Sequence, residues 1–215
     1  HQNNNPYSLY SNNVLSILRD KNGVLWVGTD DKILERFDES TETFHQHRLL
    51  EQGHEHEYAS FDGVVTIFQD SRKMFWTGTT VDGLFRLLYN PANIDSTVRF
   101  IHYCNDRDTA LNHFGHLADH LIIHSMSEDT ERNLWIGHMG FGVSEVFVDS
   151  ANELSFIFYT KDSTKPKNVS SFNLPISSMW NSVVDNNNKL WFGSQGWGIV
   201  TTNTHLKKFQ TYRHD

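Results

Sequence analysis

The chain has a single cysteine, Cys104, among its 215 residues. No internal disulfide can form, so cysteine usage does not fix the compartment. Positive charge is also scarce: 18 Lys and Arg stand against 26 Asp and Glu, a formal net charge of -8. Without a basic field to displace counterions, contact with nucleic acid or an anionic membrane is disfavoured, and neutral or weakly charged ligands stay open. No run approaches the ~18–20 consecutive apolar residues of a membrane helix. The opening His1-Gln2-Asn3-Asn4-Asn5-Pro6 has no signal-peptide layout. Nucleophile motifs are missing too, since Cys104 has no catalytic-cysteine context and there is no Gly-x-Ser-x-Gly elbow. What is present is a globular, aromatic-rich composition, 13% aromatic and 20% charged, far from the disordered class.

One stretch, Asp20-Lys21-Asn22-Gly23-Val24-Leu25-Trp26-Val27-Gly28-Thr29, returns three more times, from Asp70, Asp129 and Asp185. In each copy an Asp stands six residues before a Trp and a Gly two after it: Asp20/Trp26/Gly28, Asp70/Trp76/Gly78, Asp129/Trp135/Gly137 and Asp185/Trp191/Gly193. The spacing between copies suits a four-stranded blade with variable loops better than most helical repeats. An Asp followed by polar residues is turn chemistry, because its carboxylate can bond backbone N–H groups just ahead. β-prone runs flank the turn, apolar on consecutive residues as expected of sheets covered on both faces. The Gly after the Trp leaves room where backbone or a large ring comes close. A third strand is expected to begin at Ile33, Leu84, Val143 and Ile199. A fourth closes three of the units with Phe-x-x-Tyr-x-x-Asp, as in Phe100/Tyr103/Asp106, and Phe44 with His47 is the weaker equivalent in the first. The fold expected is therefore an all-β propeller of four four-stranded blades, at approximately 14–48, 63–103, 120–159 and 176–212 of a single segment spanning 1–215.

With Ser8-Leu9-Tyr10-Ser11-Asn12-Asn13-Val14 upstream, the first unit resembles the two-component regulator propeller repeat. Lys73, Arg132 and Asn188 replace the turn glycine in the later units, and His138 and Ser194 replace the final Thr. The resemblance implies an extracytoplasmic sensor propeller of a bacterial, Bacteroides-type hybrid two-component system. It implies a periplasmic location, as the outer part of an inner-membrane protein. It further implies an oligosaccharide ligand, control of polysaccharide-utilisation genes, a homodimer, and further propeller blades. A β-sandwich, a membrane helix and a histidine kinase would follow elsewhere in the protein. A chain that opens on a polar lead-in and stops where a fourth unit finishes is what a piece of a larger ring would look like; a closed four-bladed propeller is the rival.

The candidate ligand site is drawn from the glycine-flanked loops between second and third strands. Phe141, within Gly140-Phe141-Gly142, and Trp197, within Gly196-Trp197-Gly198, share one offset, where the second unit has Asp82 and the first Lys32. With Trp180 they offer flat surfaces for a sugar ring, and His138, Gln195 and Asp82 could bond hydroxyls. Packing of the same rings between blades is the competing account. The four motif aspartates are expected to cap turns rather than form a catalytic carboxylate pair. Thirteen histidines include His113, His116, His120 and His124 at helical spacings. However, Ile123 aligns with Val14 and Val64 in a first strand, so one helix cannot hold all four. No metal or cofactor is expected. The segment is read as non-catalytic, and a protein-interaction scaffold or a carbohydrate-active propeller enzyme are the alternatives.

Overall fold

Each blade is nucleated by the hairpin that the repeated Asp closes. In the first, the Asp20 N–H donates to the Val24 carbonyl at 2.9 Å, and Gly23 N–H returns to the Asp20 carbonyl at 2.9 Å. This is a tight turn followed by a residue with positive φ, the geometry of a three-residue hairpin loop. Gly23 takes that conformation without strain at φ +85°. Lys73, Arg132 and Asn188 occupy the same place at φ +67°, +67° and +58°. The loop geometry therefore survives the loss of its glycine.

A computed structural model of the chain describes residues 5–49, 62–103, 122–151, 153–160, 174 and 178–214. Its sixteen described strands form four antiparallel sheets, each in simple sequence order. The first holds β1 (Val14–Arg19), β2 (Leu25–Thr29), β3 (Ile33–Asp38) and β4 (Thr43–Arg48), and the second β5 (Val64–Gln69), β6 (Phe75–Thr79), β7 (Leu84–Leu88) and β8 (Arg99–Tyr103). The third holds β9 (Ile123–Glu128), β10 (Leu134–His138), β11 (Gly142–Val148) and β12 (Leu154–Tyr159). In the fourth are β13 (Met179–Val184), β14 (Lys189–Ser194), β15 (Gly198–Asn203) and β16 (Phe209–Tyr212). One helical turn, α1 (Ile94–Thr97), lies between β7 and β8. No helix among the described residues is long and apolar enough to cross a membrane.

The chain divides into two units, His1–Cys104 and Asn105–Asp215, each holding two blades. In the first unit the core lies between blades: Trp26 and Leu34 of blade one meet Val64, Phe75, Phe85 and Leu87 of blade two. In the second, Trp135, Val143 and Tyr159 of blade three meet Met179, Leu190, Phe192 and Val200 of blade four. The motif glycine of the leading blade is what permits this approach. A Cβ on Gly28 would stand 2.5 Å from the Val64 carbonyl oxygen and 2.9 Å from Val64 Cβ, and one on Gly137 would stand 2.9 Å from Met179 Cβ. At these two positions a serine hydroxyl of the same blade stands nearer still, Ser16 Oγ at 2.3 Å and Ser125 Oγ at 2.4 Å, and the next blade's first strand makes the expected close approach beside it.

The motif glycine of blade four, Gly193, corrects that expectation. A Cβ on Gly193 would meet Asn181 Oδ1 at 2.2 Å, a side-chain atom from β13 of its own blade and neither backbone nor a large ring. Gly193 is only half-buried, because blade four is the last of its unit. Gly78 is buried in β6 between its strand partners Thr66 and Leu84.

The first strand of each blade carries a repeated irregularity. Its pairing with the second strand skips one residue in every blade: Leu15 in β1, Val65 in β5, His124 in β9 and Trp180 in β13. Such bulges re-aim side chains at strand ends. Ile123, Val14 and Val64 occupy one register position, as the sequence alignment expects, and Met179 joins them.

Candidate functional site

The motif carboxylates have a structural task. Asp129 Oδ1 accepts the Glu131 and Asn133 N–H groups at 2.9 Å each, and its Oδ2 accepts the Trp135 indole N–H at 2.9 Å. Asp20 does the same for Asn22, Val24 and Trp26, and Asp185 for Asn187, Lys189 and Trp191. Asp70 caps Met74 and bonds the Trp76 indole at 3.3 Å. Turn capping matches the sequence expectation. The indole bond adds to it, and it explains why Asp and Trp keep a six-residue separation. The indole N–H, with the loop amides, holds the Asp185 carboxyl below the usual range.

In the second unit, four candidate residues gather around the start of β13. The loop after β10 is tied there by the Gly140 N–H to Ser178 Oγ at 3.2 Å, and the loop after β14 by the Met179–Ser194 pairing. Trp180 projects from the bulge and is 42% exposed. One face stacks on His124, with centroids 4.6 Å apart and planes 17° from parallel. Burial holds the His124 imidazole below its ordinary pKa. Trp197 is 46% exposed, with the Arg213 guanidinium 4.7 Å from its ring centroid. Gln195 is exposed, whereas Phe141 is half-buried.

Two other candidates are committed elsewhere. His138 is buried, and its Nε2 bonds Ser144 Oγ at 2.7 Å rather than facing solvent. The threonine at the same place in the first two blades is buried likewise. Asp82, in the first unit, pairs with the Lys32 ammonium, which also lies 3.4 Å from Asp62. These three side chains are 7%, 7% and 1% exposed for Lys32, Asp82 and Asp62, and burial pushes the Asp82 carboxyl up. The loop position that carries aromatics in the second unit therefore carries a buried ion pair in the first. Sequence places His124 only within a histidine spacing; its position beside Trp180 follows from the bulge, which a short apolar run does not announce. Among the spaced histidines, His113, His116 and His120 lie outside the described residues, as does Cys104. No group of metal-ligating side chains converges among the described residues.

Comparison with known proteins agrees with this architecture. Residues 11–31 match the two component regulator propeller family. No curated protein matches the chain. Among solved structures, the extracellular domain of BT3049 from B. thetaiotaomicron, described as a hybrid two component system, superposes with a TM-score of 0.67 at 22% identity. It is matched over 97% of this chain and 25% of its own. The corresponding domain of BT4673 from the same organism gives 0.62 at 23% identity, over 90% of this chain and 22% of its own. A catalytically inactive virginiamycin B lyase from Staphylococcus aureus gives 0.59 at 10% identity, over 96% of this chain and 58% of its own. The chain thus spans about a quarter of the length of these extracellular domains. Likeness at this identity establishes the fold, and the lyase shows that the fold alone does not decide catalysis. The first repeat, over residues 11–31, is thus similar to the two component regulator propeller family, and its Asp/Trp/Gly frame recurs in all four blades.

Proposed function

We propose that this chain is a ligand-sensing segment of a propeller in a hybrid two-component sensor histidine kinase. It lies in the periplasm and recognises an oligosaccharide whose presence controls polysaccharide-utilisation genes. The observation that carries the reading is the pair of exposed indoles, Trp180 on His124 and Trp197 under Arg213, with Gln195 on the Trp197 loop. Flat apolar faces rimmed by hydrogen-bonding groups suit a sugar ring, which has an apolar face and equatorial hydroxyls. Phe141 contributes apolar surface to the same end of the sheets.

The segment works as part of a larger ring and as a homodimer, followed by β-sandwich, membrane and kinase regions. It contacts no nucleic acid itself. The Trp191 face of blade four supports a further blade: Val183, Ile199 and Tyr212 are exposed there. In blade three the matching residues Val143 and Tyr159 are buried under the next blade. A ligand shifts such an assembly only by binding one arrangement better than the other.

A non-catalytic role is favoured because the repeated carboxylates are spent on turns and indoles, while Glu35, Asp62 and Glu145 are buried and bonded. Thermal melting of the 215-residue chain against neutral and acidic oligosaccharides tests the reading. A ligand at a hundredfold excess over Kd adds ~2.7 kcal/mol of apparent stability. The expected result is a shift with one glycan class that disappears in both Trp180→Ala and Trp197→Ala. A shift that both variants retain would remove the aromatic platform from the proposal. No shift with any glycan would favour a protein-interaction scaffold instead.

A further inference from the structure

We propose that Arg36, His45 and His47 form a carboxylate-binding site in the first blade, which Asp95 of the second blade occupies as an internal stand-in. Arg36 on β3 and His45 on β4 are directly paired across the sheet, and His47 lies two residues further along the same face. All three converge on one carboxylate. Arg36 Nε and Nη2 reach the two Asp95 oxygens at 2.8 and 2.7 Å, a planar two-pronged grip. His45 Nδ1 lies 3.1 Å from Oδ2, and His47 Nε2 lies 3.2 Å from Oδ1. The His47 side chain is only 9% exposed, and its Nε2 completes no hydrogen bond in this arrangement. A buried polar atom aimed at an anion without a finished bond marks a cradle that Asp95 fills imperfectly.

The occupant stands on a short element that Ile94 and Val98 anchor to the core while leaving Asp95 on its outer side. Asp95 sits in α1, a single turn with no buried residue and no side-chain cap at Asn93. Its carboxylate is 38% exposed, so a change of rotamer releases it without unfolding the blade. The residues that flank it, 88–90 and 96–99, wall a cleft of about 610 Å³. Asp38 bonds Arg36 as well, at 3.2 and 3.3 Å, but its other oxygen is held by Ser40. Exchange of Asp95 for an incoming carboxylate therefore leaves the charge of the cradle unchanged. A planar fork grips carboxylate and phosphate oxygens alike, and the Asp95 carboxylate already in the cradle makes a carboxylate, such as that of a sugar acid, the ligand it fits. This site lies in the first unit and does not depend on the aromatic platform of the second.

Calorimetric titration of the 215-residue chain with sodium glucuronate, glucose and sodium sulfate at low ionic strength tests the assignment. Asp95→Asn, which removes the competing charge, is expected to bind glucuronate at least tenfold more tightly than the native chain and to ignore glucose. Adding Arg36→Gln to that variant is expected to abolish binding. Equal glucuronate binding by the native and Asp95→Asn chains, or binding that survives Arg36→Gln, would overturn the site. A sulfate response as strong as that to glucuronate would overturn the carboxylate preference. Should Asp95→Asn fail to fold, the imidazole resonances of His45 and His47 in the native chain decide: both must move with glucuronate and stay still with glucose.

Discussion

Lys207 Nζ lies 4.5 Å from the ring centroid of Trp135, although the two residues belong to consecutive blades. The same ammonium pairs with Glu145, which is fully buried and accepts the Tyr159 hydroxyl at 2.6 Å. Burial and the Glu145 carboxylate together push the Tyr159 phenol up, so it remains a donor. In the first unit Tyr89 makes the matching reach, donating to Asp20 and standing 5.4 Å from Trp26. Each unit thus closes its seam by sending a side chain, from beyond the third strand of one blade, onto the motif tryptophan of the blade before.

Breaking the Lys207 clasp should be costly. Lys207→Met leaves a buried carboxylate without its cation, and such losses run to about 3–5 kcal/mol. Urea unfolding should show that fall, and Glu145→Gln added to the variant should recover much of it. Full additivity of the two substitutions would mean that the pair is not coupled.

The Asp129–Trp135 bond should account for part, but not all, of the motif's contribution. Trp135→Phe keeps a ring in the core and removes one charge-assisted donor, worth about 1.5–3 kcal/mol. Asp129→Ala also strands the Glu131 and Asn133 amides, and should cost more in the same unfolding measurement.

The left-handed turn residues separate conformational cost from side-chain gain. Arg132 stands at φ +67°. Arg132→Gly should stabilise by about 0.5–1 kcal/mol, the left-handed penalty less the extra freedom glycine has when unfolded. Asn188→Gly should destabilise, because the Asn188 amide bonds the Thr130 N–H at 3.0 Å and Thr204 Oγ1 at 2.6 Å. Opposite signs in the two melting temperatures would bear this out.

Acid should find the second unit through His138. Burial depresses its pKa to about 3, so the folded chain refuses a proton that the unfolded chain accepts below about 6.5. Stability from this residue is present near pH 7 and falls as pH drops from about 6.5 toward 3. The loss is about 2 kcal/mol by pH 5. His138→Gln, which cannot titrate, should flatten that part of the stability profile.

The sequence by itself determined the repeat, the strand order within each blade, the capping role of the aspartates and the space kept by Gly28 and Gly137. These are legible because they depend on neighbours within about ten residues, where turn chemistry and side-chain alternation leave a pattern. It did not show the indole bond, though the six-residue spacing is its trace. Packing between blades set what stands beside three of the motif glycines: a side chain of the same blade at Gly28, Gly137 and Gly193, joined by the next blade's strand at Gly28 and Gly137. Tertiary structure alone also decided which aromatics face solvent, that His124 stacks on Trp180, and that Asp82 answers Lys32 fifty residues away. The reach of Lys207 to Glu145 and the meeting of Arg36, His45 and His47 with Asp95 belong to the same class. Periodicity tells a side chain which face of a sheet it occupies. Which partner stands opposite is settled only when one blade packs on the next, and no local pattern records that choice.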